Sequence, residues 1–304
     1  MRVAVTGANG LLGGAAVARL LGRHEVLALG RGPSRLPASI MGQAGVTWAD
    51  GDLGDGGSVE RALLALKAEA VLHAGAATDV DACERDPVMA WRSNVTGTEQ
   101  VARACRALGA RLVALSTDYV FDGEAGPYGE EARPNPRGAY ARTKRCGEEA
   151  ALLLAPDCAV ARVAVVYSGR PGAKSSFATQ VVERLTRGEP VRAFSDQLVS
   201  TTLADSAAAM TLELLLEHRY QGVLHTADQG VVDRVTFARR VAARFGLDGE
   251  ILPVRTADAK LLAPRPLRAG LDVSRATALL HHKPLTLDAA LERFHAEWQA
   301  RPTP

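Results

Sequence analysis

The sequence predicts an α/β fold: a doubly wound parallel sheet with helices on both faces, followed by a smaller mixed α/β lobe. Three observations predict it. Short apolar runs alternate with helix-patterned segments through the first half of the 304 residues. A glycine-rich turn joins the first of these runs to the first helix. Beyond about residue 168 the alternation loosens into short strands mixed with helices.

Taken in order, RVAV is a short apolar strand, and LLGGAAVARLLG carries helical spacing and stops at a glycine. EVLAL and GVTWAD read as the next strands, GSVERALLAL as an amphipathic helix and AVLHAG as the fourth strand. DPVMAWRSNVTGTEQVARACRALG reads as one long helix ending at Gly109, followed by strand RLVALS. A helix over roughly residues 139–154 then leads to strand CAVARVAVVY. These segments place a first domain at 1–167. The second, 168–304, mixes strands PVRAF, GVLHTA and ILPV with helices SFATQVVERLTRG, VTFARRVAARFG and LTLDAALERFHAEWQA, with room for some of them to return to the first core. The final RPTP reads as a frayed tail.

Hydrophobic residues make up 47% and charged residues 23%, the balance of a soluble globular chain. A net charge of +2 gives no basis for a nucleic-acid or anionic-membrane partner. No apolar run reaches the roughly 18 residues of a membrane span. With no leader pattern at the start, a cytoplasmic location is expected. Cys83, Cys105, Cys146 and Cys158 lie far apart and read as structural thiols. His73 reads as a buried structural histidine and His281-His282-Lys283 as a solvated turn, and no metal site is assigned.

VTGANGLLGG stands between strand and helix, with glycines at Gly7, Gly10 and Gly13. One glycine permits a tight turn, one lets the backbone approach a pyrophosphate, and one lets helix and strand pack closely. The helix start offers unpaired N–H groups to phosphate. This is the turn of a Rossmann sheet. The second strand ends at Gly30-Arg31 rather than at an acid, and a guanidinium there suits the extra phosphate of NADP. Asp52 and Leu53, after the third strand, are placed to flank the adenine, although Asp52 also fits a simple turn residue.

YARTK puts Tyr140 and Lys144 four residues apart, on one helix face. A phenol near pKa 10 moves protons poorly at neutrality, and a nearby ammonium lowers that value. The pair therefore makes a plausible acid/base couple, with a strand-end hydroxyl from STDYVFDG to hold the substrate oxygen.

VTGANGLLG, AATDVDACE, SNVTGT, STDYVFDG, YARTK and RPLRAGLD follow one another in the order of a known family. Together they resemble the extended short-chain dehydrogenase/reductase superfamily, and within it the dTDP-4-dehydrorhamnose reductases. The resemblance covers nearly the whole chain. It implies a catalytic set of Thr117, Tyr140 and Lys144. It implies that Gly7, Asn9, Gly10, Leu11, Leu12 and Gly13 form the dinucleotide turn, with Ala74, Gly75 and Ala76 running under the cofactor. Asp118 and Tyr119 are implied to face the sugar, and Arg265 to lie in the substrate segment where a diphosphate binds. The implied reaction is NADPH-dependent reduction of the C4 ketone of a nucleotide-linked deoxysugar, dTDP-linked by preference, with a homodimer as the implied assembly. Two other readings share the fold. One is an NAD-dependent epimerase or dehydratase. The other is a non-catalytic regulatory subunit like that of methionine adenosyltransferase. The chain departs from the family pattern at Ala141, Ser200 and Leu267-Arg268-Ala269, mostly on the substrate lobe.

Overall fold

The computed structural model describes residues 1–301; the last three residues of the expected frayed tail lie outside them. The chain opens with β1 (Arg2–Thr6), α1 (Leu11–Leu20), β2 (Glu25–Gly30), a short α2 (Ala38–Met41), β3 (Val46–Asp50), α3 (Ser58–Leu66) and β4 (Ala70–His73). Next come α4 (Val80–Arg85), α5 (Pro87–Trp91), a π turn over Arg92–Thr96, α6 (Gly97–Leu108), β5 (Arg111–Thr117), α7 (Ala139–Leu154) and β6 (Cys158–Val163). The remainder comprises β7 (Val166–Tyr167), α8 (Phe177–Thr186), β8 (Val191–Phe194), β9 (Leu198–Val199), β10 (Thr202–Leu203), α9 (Ala204–Leu216), β11 (Gly222–His225), β12 (Val232–Asp233), α10 (Arg234–Phe245), β13 (Ile251–Val254), α11 (Ser274–Leu279) and α12 (Leu287–Gln299).

Seven parallel strands form the central sheet in the order β11-β6-β5-β4-β1-β2-β3. The chain runs outward from β1 through β2 and β3, then reverses to β4 on the other side of β1. That reversal opens a crevice at the carboxyl ends of the strands. Strands such as Ala70–His73 are buried throughout because both sheet faces are covered. α1 and α9 pack on one face around Val5, Val17, Leu72 and Met210. α3, α6 and α7 cover the other around Leu63, Val101, Leu112 and Ala151. β11 and α9 come from the second half of the sequence, so the sheet is completed by residues far beyond β6.

A smaller lobe gathers α8, α10 and α12 with the parallel pair β8–β13 around Tyr167, Phe237 and Phe294. Among the described residues no helix is long and apolar enough to cross a membrane.

Two segments differ from the sequence expectation. The long helix begins where expected, at Asp86, which caps α5 by accepting from the Met89 N–H at 2.9 Å, but the π turn over Arg92–Thr96 divides it into α5 and α6. CAVARVAVVY is two strands, broken where Val165 takes φ +38. A β-branched residue in that region is a strained outlier.

Candidate active site

Gly7 has φ +66, and a Cβ there would stand 2.6 Å from the backbone of Ala74 and Gly75. Any side chain would therefore push the turn off the β4 exit. A Cβ on Gly13 would collide with the Gly7 carbonyl. Gly10 precedes α1, whose start has no side-chain cap and no acidic residue, so its amides and positive dipole end stay available to an anion. Leu12 is buried in the core and Leu11 half-buried, so what they offer a ligand is backbone N–H. This cradle of missing side chains fits a dinucleotide pyrophosphate.

Asn9 points away from the cradle. Its amide donates to the carbonyls of Arg31 and Pro33 at 3.3 and 3.1 Å and accepts from the Arg35 N–H at 2.8 Å. It thereby fixes the loop carrying Arg31. The Arg31 side chain is 82% exposed and lies 3.8 Å from the Asp52 carboxylate. Asp52 also accepts from the Gly54 N–H at 2.9 Å, so it builds a turn as well as facing Arg31. Leu53 wedges against Gly75 and Gly97, leaving no room for a Cβ on either. Gly75 donates its N–H to the Thr6 hydroxyl at 3.1 Å, and Ala74 and Ala76 beside it remain partly open.

Thr117 ends β5 at the crevice. Its hydroxyl donates to Asp118 Oδ1 at 3.0 Å and accepts from the Tyr119 N–H at 3.2 Å. Tyr140 comes in from α7, buried, with its ring edge-on to Tyr119 at 5.6 Å between centroids. Burial pushes the Tyr140 phenol well above its ordinary value, while the neighbouring Thr117 hydroxyl pulls the other way. Lys144, one turn on, donates to the Leu115 carbonyl at 2.7 Å. Burial lowers it to about 8 against the opposing pull of Glu148. The expectation that Lys144 lowers the Tyr140 phenol is not met in this structure: burial dominates, and the ammonium is committed to the β5 backbone. Asp118 is almost wholly buried, and its Oδ2 has no partner among the described residues. Burial lifts it to about 7, against the Thr117 hydrogen bond and the Arg234 charge.

Arg265 is 13% exposed and already engaged. It pairs with Asp81 at 2.9 Å and donates to the Ala263 carbonyl at 2.8 Å. Asp81 lies in the AATDVDACE segment, but its pairing is not readable locally because its partner is 184 residues away.

Two further residues, Asn94 of the SNVTGT segment and Arg234, take a role that only the fold reveals. Asn94, fully buried in the π turn, accepts from the Ala77 N–H at 2.8 Å and donates to the Ala77 carbonyl and the Thr143 hydroxyl, both at 3.1 Å. It ties the strip under the crevice to α7, a common use of a π turn at a functional site. Arg234 opens α10, donates to the Gln197 side chain at 3.0 Å and lies 5.6 Å from the Phe177 ring centroid. Its charge reaches Tyr119, Asp118 and Arg265. It also lines a cavity of about 300 Å³ with Phe177, Arg184, Arg192 and Phe194. His73 is buried between the hydroxyls of Thr6 and Thr98, at 2.8 and 3.1 Å, and burial lowers it to about 3.

This arrangement, on a sheet wound in this order, is that of the extended short-chain dehydrogenases/reductases. The family model described as RmlD substrate binding domain matches residues 1–300, and the chain belongs to that family. It is 36% identical over 281 residues to a dTDP-4-dehydrorhamnose reductase of Mycobacterium tuberculosis, covering 88% of this chain and 90% of that one. Its structure is similar to a hypothetical dTDP-4-dehydrorhamnose reductase from Sulfolobus tokodaii, with a TM-score of 0.82 and 32% identity over 95% of this chain and 98% of that one. It is also similar to a dTDP-4-dehydrorhamnose reductase from Clostridium acetobutylicum, with a TM-score of 0.85 and 26% identity over 98% and 100% of the two chains.

Proposed function

We propose that the protein is an NADPH-dependent oxidoreductase that reduces the C4 ketone of a nucleotide-linked deoxysugar, as its dTDP-4-dehydrorhamnose reductase relatives are named for doing. The observation that carries the reading is the buried Tyr140 beside Thr117, which ends β5 at the carboxyl edge of the sheet. NADPH, held by the 7–13 turn and by Arg31, supplies the hydride when bound. Tyr140 gives its proton to the carbonyl oxygen as general acid, a role favoured by a phenol that burial keeps protonated. Thr117, turning its hydroxyl proton from Asp118 to the bound ketone, donates to the same oxygen and sets its position. Lys144 holds the cofactor ribose and, through the Leu115 carbonyl, keeps α7 in register with β5. Asp118 and Tyr119 face the sugar. Arg234 and Arg265 neutralise the diphosphate, and Phe177 offers a stacking face for the base.

The epimerase or dehydratase reading draws no support, since β2 ends at Gly30-Arg31 without an acid and Thr117 is followed by Asp118-Tyr119. A homodimer and a cytoplasmic location complete the proposal, and light scattering on the purified chain tests the first. The reaction itself is tested by NADPH consumption with 4-keto-6-deoxysugars linked to dTDP, UDP or GDP. Turnover is expected with the dTDP series, and none with any series overturns the reading.

A further inference from the structure

The turn read as solvated is anchored on a buried carboxylate. Glu213 lies on α9 with its side chain fully buried. Its Oε1 stands 2.9 Å from His218 Nε2 and 3.2 Å from His281 Nδ1. These three ligand-type atoms all lie within 4.8 Å of one another. Glu213 Oε2 accepts from the His282 backbone N–H and faces His282 Nδ1, each at 2.8 Å. We propose that Glu213, His218 and His281 form a binding site for a borderline divalent transition metal, best matched by zinc.

Three features carry this. First, the donor set is one carboxylate oxygen and two imidazole nitrogens. Imidazoles suit zinc, nickel or copper, whereas magnesium and calcium want oxygen throughout. Second, a tetrahedral zinc with bonds of ~2.1 Å separates its ligand atoms by ~3.4 Å; the two Glu213 separations of 2.9 and 3.2 Å need to lengthen by about half an ångström or less, and the imidazole nitrogens lie within 4.8 Å of each other. Third, the site is braced on one side and open on the other. Backbone N–H groups of His281 and His282 fix the carboxylate, and His282 holds its second oxygen, as outer-shell partners of metal ligands do. The His281 side chain is 82% exposed, so an ion has an entry path and a fourth position for water.

The cluster sits at the amino-terminal edge of the sheet. β11, which starts just after His218, begins opposite Ala159, while Thr117 lies opposite Val163. The metal therefore fastens the end of α9 to the segment between α11 and α12, far from the ketone chemistry, and the inference does not rest on the assigned reaction.

The test uses the full chain without an affinity tag, stripped with chelator and titrated with zinc by calorimetry, with cobalt(II) as a spectroscopic probe. One zinc per chain, a tetrahedral cobalt spectrum and a higher Tm with zinc but not magnesium are expected. His218→Ala and His281→Ala each lower affinity at least 100-fold, His282→Ala lowers it by ~10–100-fold, and His295→Ala changes nothing. In the unaltered chain, zinc protects His218 and His281, but not His295, from imidazole acylation, a readout that needs no variant to fold. Absent stoichiometric binding, or zinc affinity unchanged in both His218→Ala and His281→Ala, overturns the proposal.

Discussion

Arg162 and Glu148 clasp each other inside the interface between β6 and α7. The Arg162 Nε and Nη2 donate to the two carboxylate oxygens at 2.7 and 2.8 Å, with both side chains almost completely buried. Glu148 stands one turn beyond Lys144, and Arg162 lies opposite Ser116, one residue before Thr117. The pair thus rivets the helix carrying Tyr140 to the strand beside Thr117. Removing one partner of such a pair strands a buried charge, which costs far more than the pair itself contributes. Glu148→Gln should lower unfolding free energy by about 3–5 kcal/mol in urea titrations. A loss under 1 kcal/mol would show that the clasp is replaceable.

Tyr140→Phe keeps the buried ring and removes only the acid. It should reduce kcat by roughly 10²–10⁴-fold, the usual worth of a positioned proton donor. NADPH-induced stabilisation in thermal melts should persist. Wild-type turnover in this variant would instead favour a non-catalytic binding role.

Asp118 gives the fold a defined pH response. Its carboxyl titrates near 7 when folded, against an ordinary 3.8. Between those values the folded chain holds a proton that the unfolded chain has released, so stability falls as pH rises through this window. Above about 7 the burial cost is fully present. Asp118→Asn keeps the acceptor for the Thr117 hydroxyl and removes the charge. It should melt above wild type at pH 8, with the gap closing toward pH 4. A gap independent of pH would rule out this assignment.

Arg234 is expected to act on KM. Charge-assisted hydrogen bonds are worth about 1.5–3 kcal/mol, so Arg234→Met should raise KM for a nucleotide diphosphate sugar by roughly 10–150-fold. The KM for NADPH should stay within about twofold, since Arg234 contacts Gln197 and Phe177 rather than the glycine turn. Equal losses for both substrates would place Arg234 elsewhere in the reaction.

Local patterning made much of this legible. The span of α7 follows from its apolar spacing, and the position of Gly7 follows from a turn that only glycine can make. The family segments then carried Thr117, Tyr140 and Lys144 to one end of the sheet. What stayed hidden depends on contacts distant in sequence. Arg234 stands just before the VTFARRVAARFG helix as one more cation until the fold brings its charge to bear on Asp118, 116 residues earlier. Asn94 sits in what looks like uninterrupted helix, because the π turn answers to Ala77 and Thr143 rather than to local propensity. The opposite behaviour of the Tyr140 phenol has a similar origin, since burial is a property of the assembled interior and outweighs the charge spacing along one helix.

The return of residues 204–225 to the sheet bears on gene shuffling between relatives. A hybrid joined at one crossover after β6 would inherit its edge strand and the helix beneath α1 from the other parent. Those pieces pack against β6 and α1 along their length, so a single junction mixes two histories inside one interior. Exchanging sugar preference would need paired junctions that leave α9 and β11 with their native strands, and libraries built that way should retain far more folded members.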